Sequence, residues 1–288
     1  MLVLAGPTAA GKTEAALAAA EAVGAVIVSA DAMQVYRYLD VGTAKATPAE
    51  RARVPHHGID MVDPDEAFDA SDFVALADAV IAGERPVIVA GGTSLYLRSL
   101  VRGLVPTPPV DPDLRARLEA LEDPHAALGA VDPVLAERLH PNDRVRIVRG
   151  LEVFHALGER LSDLQARHSA QPDRVHAVGL WLDRSDLRAR IGARLLQMIE
   201  AGYVEEVRGL LARGYDRSLK PMRSLGYAHL AAHLLDGLPL KEAVRRTERD
   251  TWKLARKQRN WMRLFGFERV AEDHVARAVR VARDAFGP

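Results

Sequence analysis

The chain has 288 residues, enough for one large domain or a core with an inserted module, and long enough to bury a core without covalent staples. It has no cysteine, which excludes disulfides, thiolate metal sites and cysteine nucleophiles and agrees with a reducing compartment. Lys plus Arg and Asp plus Glu both total 39, so bulk charge does not announce a nucleic-acid binder and only a local patch could do so. No apolar run approaches the length of a membrane span, and the first residues run directly into a motif without room for a secretory leader, so a soluble cytoplasmic protein is expected.

In chain order, residues 2–5 form a short apolar run read as a strand, 6–13 a glycine-punctuated loop, 14–23 an alanine-rich helix and 25–29 a buried strand. This opening predicts an α/β fold, a P-loop-type parallel sheet core flanked by helices. Three more apolar runs, 59–62, 86–90 and 176–182, read as strands of the same sheet, each followed by a helix over 71–82, 94–102 and 185–201. The proline-rich stretch from Pro106 to Pro112 is a break. Helical segments without a convincing strand follow it, at 114–121, 133–139 and 144–157. Residues 107–172 are therefore read as an all-helical insertion domain between two parts of the core, 1–106 and 173–288, the second helical to near its end.

Gly6-Pro7-Thr8-Ala9-Ala10-Gly11-Lys12-Thr13 fits G-x-x-x-x-G-K-[ST] throughout, with a strand before it and a helix after it. The glycines let several N–H groups face one anion, and the helix N-terminus adds its dipole. Lys12 supplies a point charge for phosphate oxygens, and the Thr13 hydroxyl is placed to ligate Mg²⁺. Such loops bind nucleotides, ATP among them. The motif itself specifies a di- or triphosphate without choosing ATP or GTP.

Ligands of open α/β sheets bind beyond the carboxyl ends of the strands. Asp31, Gly91-Gly92-Thr93 and Asp183-Arg184 should converge there with the loop. Asp31 could bind Mg²⁺, accept a proton or cap the following turn. Gly91-Gly92 permits close backbone approach, and Thr93 offers a hydroxyl. Arg190 and Arg194 share a helix face and either clamp a pyrophosphate or face solvent. His56, His57 and Asp60 lack the spacing of known zinc motifs and read as structural.

Residues 241–263 carry nine basic and three acidic side chains. At helical spacing Arg245, Arg249, Trp252, Arg256, Arg259 and Arg263 form one stripe, and Val244, Thr247, Thr251, Leu254, Gln258 and Trp261 the expected core face. An arginine row around an aromatic suits a phosphate backbone beside an unstacked base, and a solvated face explains it equally well.

Together these stretches resemble the bacterial tRNA dimethylallyltransferases. The match runs through the phosphate loop, Asp31-Ala32-Met33-Gln34-Val35-Tyr36, Gly42-Thr43-Ala44-Lys45, the segment from His56 to Pro64 and Gly91-Gly92-Thr93-Ser94-Leu95-Tyr96. It continues in the segment from Arg146 to Val153, Arg223-Ser224-Leu225-Gly226-Tyr227, and Ala255-Arg256-Lys257-Gln258 with Trp261, in family order over nearly the whole chain. The resemblance implies transfer of a dimethylallyl group from dimethylallyl diphosphate to N6 of the tRNA adenosine 3′ of the anticodon, a base flipped into a channel. It implies that Gly6, Thr8, Ala9, Ala10, Gly11, Lys12 and Thr13 hold the pyrophosphate, with Mg²⁺ as cofactor. Arg190 and Arg194 are expected beside them. It makes Asp31 the general base and puts Thr93 near the leaving oxygen. The anticodon stem-loop is expected to meet Asp31, Ala32, Met33 and Gln34; Val145, Arg146, Ile147, Val148 and Arg149; Arg223, Gly226 and Tyr227; and Arg256, Lys257, Arg259 and Arg263. The family usually carries Ser at Ala32, Gly at Tyr38, a larger apolar residue at Gly58 and a basic one at Ala228, departures expected to touch tRNA contacts and not the chemistry. Nothing calls for an obligate partner, so a monomer is expected. A small-molecule P-loop kinase and a nucleotide-gated RNA-binding module without chemistry are the alternatives.

Overall fold

The computed structural model describes residues 1–83 and 85–287. The chain divides into two compact units, one built from Met1–Val101 and the residues from Val175 onward, the other from Arg102–Arg174.

The larger unit is built on a six-stranded sheet. Its strands are β1 (Leu2–Ala5), β2 (Val26–Ala30), β3 (His56–His57), β4 (Val87–Gly91), β5 (Val178–Leu182) and β6 (Glu268–Val270). They lie in the order β3-β2-β4-β1-β5-β6, all parallel. β1 and β2 are buried throughout, as strands covered by helices on both faces must be. Register decides where the functional groups emerge. Ala5 and Ala30 both pair with Gly91, so β1, β2 and β4 end level. The next residues, Gly6, Asp31 and Gly92, leave the sheet side by side.

The helices of this unit are α1 (Lys12–Val23), α2 (Pro48–Arg53), α3 (Ala70–Ile81) and α4 (Ser94–Arg102). The smaller unit contains α5 (Pro112–Glu119), α6 (Pro124–Val131), α7 (Pro133–Arg138), α8 (Arg144–Leu157) and α9 (Leu161–Ser169). The larger unit resumes with α10 (Leu187–Glu200), α11 (Tyr203–Ala212), α12 (Tyr227–Asp236), α13 (Leu240–Met262) and α14 (His274–Phe286).

The smaller unit has its own apolar core, built around Leu118, Leu128, Leu135, Ile147, Val148 and Leu151. Its polar interior is satisfied. Asp132 accepts the Leu135 and Ser162 N–H groups and the Ser162 hydroxyl, and Glu152 takes Arg115 at 2.6 Å and Arg149 at 3.0 Å. The linker reading placed this module at 107–172, and the compact unit spans Arg102–Arg174.

Three elements differ from expectation. The strand expected at 59–62 is replaced by His56–His57 and a single bridge between Tyr36 and Val62. Gly58 at φ 76° and Asp60 at φ 55° are left-handed, which breaks the extended path. The chain after α13 turns at Gly266 (φ 66°) into β6 instead of remaining helical. Gly179 on β5 admits the Phe267 ring there, since a Cβ on it would lie 2.0 Å from Phe267 Cδ1. On α13 the buried residues are Ala243, Thr247, Ala255, Gln258 and Met262, while Leu254 and Trp261, expected in the core, are exposed. Alanines at 243 and 255 let α13 approach α10 and α12 closely, which rotates the buried face toward the small side chains.

Candidate active site

The phosphate loop leaves β1 at Gly6, where a Cβ would sit 2.4 Å from the Leu182 carbonyl oxygen, so only glycine lets the loop depart between β1 and β5. Ala9 is left-handed at φ 64°, a strained conformation of the kind found in ligand cradles. Its carbonyl accepts the Arg190 Nε–H at 3.0 Å. Lys12, on the first turn of α1, donates its Nζ to Pro7 O at 2.8 Å and thereby folds over the loop. Burial of the ammonium, with the Arg194 charge adding, pushes Lys12 down to about 8, and Asp31 pulls the other way. Burial lowers Arg194 as well, again against Asp31. Lys12, Arg194 and Asp31 are therefore within electrostatic reach of one another.

Asp31 is half-buried directly after β2, with Oδ1 accepting the Met33 N–H at 2.8 Å. Thr93, after β4, accepts the Ala32 N–H on its hydroxyl oxygen at 3.0 Å, which leaves the hydroxyl proton to donate elsewhere. Gln34 accepts Ser29 Oγ–H at 2.8 Å and donates to Thr43 O and Ala44 O. The Asp31–Gln34 segment thus leans on the 40–45 loop.

Beside the phosphate loop lies a cavity of about 480 Å³ counting its open mouth. Its walls include Thr8 and Ala9 of the loop, Arg194, and the apolar Ile191, Leu195, Met198, Tyr203 and Leu225. Gly42, Thr43, Thr247 and Thr251 complete the lining, so the cavity joins the loop to walls that are partly apolar and partly threonine. For Mg²⁺, the loop offers the exposed Thr13 hydroxyl, a hard oxygen donor that suits this ion once phosphate oxygens complete the set.

Several expected residues have other commitments. Asp183 does not open onto the crevice. It is buried, ion-paired to Arg259 at 2.8 Å and Arg269 at 2.9 Å, and anchors α13 and β6 to the end of β5. Arg259, expected at the RNA face, is thereby held inward. Tyr227 is core, its hydroxyl donating to Glu206 at 2.6 Å, and Gly226 is buried against Tyr203. In the smaller unit Ile147 and Val148 are core, so the outward side chains of 145–149 are Val145 and Arg146. Arg149 is tied to Glu152, Thr107 and Pro108. Arg223, Arg256, Lys257 and Arg263 are exposed, whereas Arg245 and Arg249 form ion pairs within α13 with Glu242 and Asp250. Asp60 pairs with Lys45 and Arg51, and His56 Nδ1 lies 2.7 Å from Val54 O.

Over residues 34–264 the chain matches the family model described as IPP transferase. The chain belongs to the IPP transferase family. It is 47% identical to the tRNA dimethylallyltransferase of Syntrophobacter fumaroxidans, over 99% of this chain and 88% of that one. It is 49% identical to that of Anaeromyxobacter sp. (strain K), over 91% and 90%. Its fold is similar to the crystal structure of the full-length tRNA isopentenylpyrophosphate transferase of Bacillus halodurans, with TM-score 0.71 and 30% identity over 99% of this chain and 95% of that one.

Around this cavity, sequence reasoning missed Gln258 as a tether, Glu206, and the walls formed by Tyr203, Met198 and Leu225. Gln258 accepts the Thr8 N–H at 2.9 Å and donates to Gly92 O at 2.9 Å. The sequence put Gln258 on the expected core face and in the stretch that carries the resemblance, but said nothing of the two backbone groups it joins.

Proposed function

We propose that the protein transfers the dimethylallyl group of dimethylallyl diphosphate to N6 of the adenosine immediately 3′ of the anticodon in tRNA. The observation that carries this reading is the continuity of the phosphate loop with a cavity of mixed walls: Thr8, Ala9 and Arg194 share it with Ile191, Leu195 and Met198 as well as with Thr43, Thr247 and Thr251. A diphosphate with a short hydrocarbon tail suits a phosphate loop that meets the Ile191, Leu195 and Met198 side chains. The relatives named as tRNA dimethylallyltransferases support a tRNA acceptor, and a cytoplasmic location is part of the same proposal.

In the proposed reaction the N6 amine attacks the allylic carbon, an N–C bond forms, the C–O bond to the diphosphate breaks, and pyrophosphate leaves. Asp31 takes the N6 proton, its Oδ1 fixed by Met33 N–H. The Thr93 hydroxyl donates to the leaving oxygen. Lys12 and the loop amides stabilise the charge that builds on pyrophosphate, and Arg194 supplies a second cation. Thr13 would hold Mg²⁺, which, when bound, adds positive charge to the diphosphate. Exposed Arg223, Arg256, Lys257 and Arg263, with Ala32 to Gln34 beside the base, are the proposed tRNA contacts on the larger unit. Val145 and Arg146 serve on the smaller one.

Mass analysis of tRNA incubated with the protein and either dimethylallyl diphosphate with Mg²⁺ or ATP with Mg²⁺ tests this. A gain of one dimethylallyl group on an anticodon-loop adenosine is expected with the first donor only. Asp31→Ala should still bind tRNA and lose about 10²- to 10⁴-fold in turnover. Near-normal turnover in that variant removes Asp31 from the role of base.

A further inference from the structure

Glu206 on α11 is half-buried, and its carboxylate takes four hydrogen bonds. Oε2 accepts the Asp40 and Val41 N–H groups at 2.8 and 2.6 Å. Oε1 accepts the Gly42 N–H at 3.0 Å and the Tyr227 hydroxyl proton at 2.6 Å. No step of the proposed reaction uses this acid. A carboxylate holds N–H groups about twice as strongly as a neutral acceptor does. Three successive backbone donors are therefore fixed at one point.

The 40–45 turn carries that hold onward. Its Lys45 N–H donates to Asp40 O and its Ala44 N–H to Val41 O, each at 3.0 Å, and Thr43 Oγ1–H donates to Leu39 O at 2.6 Å. The turn is thus one closed unit. Glu206 binds the N–H groups that begin it, and the Thr43 and Ala44 carbonyls near its end accept Gln34 Nε2–H at 3.2 and 3.3 Å. Gly42 is backed by Tyr203, three residues before Glu206 on the same helix, since a Cβ on Gly42 would lie 2.2 Å from Tyr203 Cε2.

Gln34 Oε1 accepts the Ser29 Oγ–H at 2.8 Å, which closes residues 29–34 into a loop with Asp31 inside it. Within that loop Asp31 Oδ1 accepts the Met33 N–H at 2.8 Å, and the Ala32 N–H donates to Thr93 at 3.0 Å. One run of hydrogen bonds leads from Glu206, through the turn and Gln34, to the segment that carries Asp31.

We propose that Glu206 is a positioning residue for proton abstraction: acting through the 40–45 turn and Gln34, it sets where the Asp31 carboxylate stands. This rests on the assignment of Asp31 as the base. Glu206→Gln keeps the side-chain shape. Whichever way its amide is turned, though, it brings an N–H against a backbone N–H, so the turn loses part of its anchor.

Single-turnover prenyl transfer at saturating tRNA, dimethylallyl diphosphate and Mg²⁺ tests this in wild type, Asp31→Ala, Glu206→Gln and the double variant. Glu206→Gln should lower the rate about 10- to 100-fold. Donor affinity by calorimetry should change by a smaller factor. In the Asp31→Ala background the same substitution should cost almost nothing further, because the group it places is gone. If Glu206→Gln does not fold by circular dichroism, Glu206→Asp, which keeps the charge and withdraws it by one methylene, replaces it under the same criteria. Three results each overturn the positioning role and leave Asp31 as the base: a folded variant at the wild-type rate, a loss of donor affinity as large as the loss of rate, or a double variant whose loss is the product of the single losses. A near-wild-type rate in Asp31→Ala overturns the base assignment, and the positioning role with it.

Discussion

Gln258 accepts the Thr8 N–H at 2.9 Å from 250 residues away in the sequence. Its amide nitrogen donates to Gly92 O at 2.9 Å, so one buried side chain on α13 fixes the spacing between the phosphate loop and the turn that carries Thr93. Gln258→Leu would leave a donor and an acceptor unpaired, at about 1–3 kcal/mol each. A lower urea midpoint and weaker diphosphate binding are expected. Gly92→Ala attacks the same link from the other side, because its Cβ would lie 2.5 Å from Gln258 Nε2. The double variant should therefore cost less than the sum of the singles. Simple additivity in the denaturation curves would show that the two residues do not act through one link.

Lys12 sets the pH dependence of donor binding. Burial, with help from Arg194, pushes its ammonium down to about 8, so above that pH the free loop holds mostly a neutral amine. A bound diphosphate favours the charged form and raises the group again. Affinity should thus fall as pH rises through about 8, and binding near that pH should take up a fraction of a proton from solution. Calorimetry in two buffers of different ionisation enthalpy reads the uptake. Equal apparent enthalpies in the two buffers near pH 8 would refute the assignment.

The parts of this architecture that rest on neighbours in sequence were legible before the structure. The strand-loop-helix at residues 2–23 carries its own punctuation, and Asp31 and Thr93 follow apolar runs that had to be parallel strands. What sequence could not convey were partners far apart in the chain. Glu206 looks like any exposed acid on an amphipathic helix, yet it binds three consecutive N–H groups of the 40–42 loop. The arginine row on α13 reads as uniform. Only the fold separates Arg259, drawn in by Asp183, from exposed Arg256 and Arg263. β6 escaped notice because it is three residues long with two of them exposed, and its extended form comes from pairing with β5.

The segment 145–149 separates charge from core within one helix. Arg146 is exposed and paired with Asp143 three residues earlier, while Ile147 next to it is fully buried. Arg146→Ala should leave the melting temperature nearly unchanged, weaken tRNA binding, and reduce the slope of log affinity against log salt by about one contact's worth, roughly 0.7–0.9. Ile147→Ala should instead destabilise the helical unit by about 2–5 kcal/mol. Paired titrations and melts distinguish the two, and an unaltered salt slope in Arg146→Ala would take that residue off the RNA face.

Lys45 provides the support beneath the base segment. Its side chain is 1% exposed, and its ammonium donates to Asp40 Oδ1 at 2.6 Å, Asp60 Oδ1 at 2.7 Å and Tyr36 O at 2.8 Å. The loop it gathers also receives Gln34, three residues after Asp31. Removing one member of a fully buried ion pair costs about 3–5 kcal/mol. Asp40 is 62% exposed and Asp60 keeps Arg51 at 2.6 Å, so Lys45→Met should cost less, about 2 kcal/mol. The pH dependence of that cost follows from Asp60. Burial would raise its carboxyl, but the hydrogen bonds from Lys45 and Arg51 outweigh burial and hold it below the ordinary carboxylate range. A carboxyl depressed in the folded state stabilises above its unfolded value, near 3.8, and that contribution disappears as pH falls through the folded value. The deficit of Lys45→Met relative to wild type should therefore be complete at neutral pH and shrink below about pH 4. Urea midpoints of both proteins across that range measure it. A deficit that stays constant into acid would mean that Lys45 contributes through packing and not through its charge.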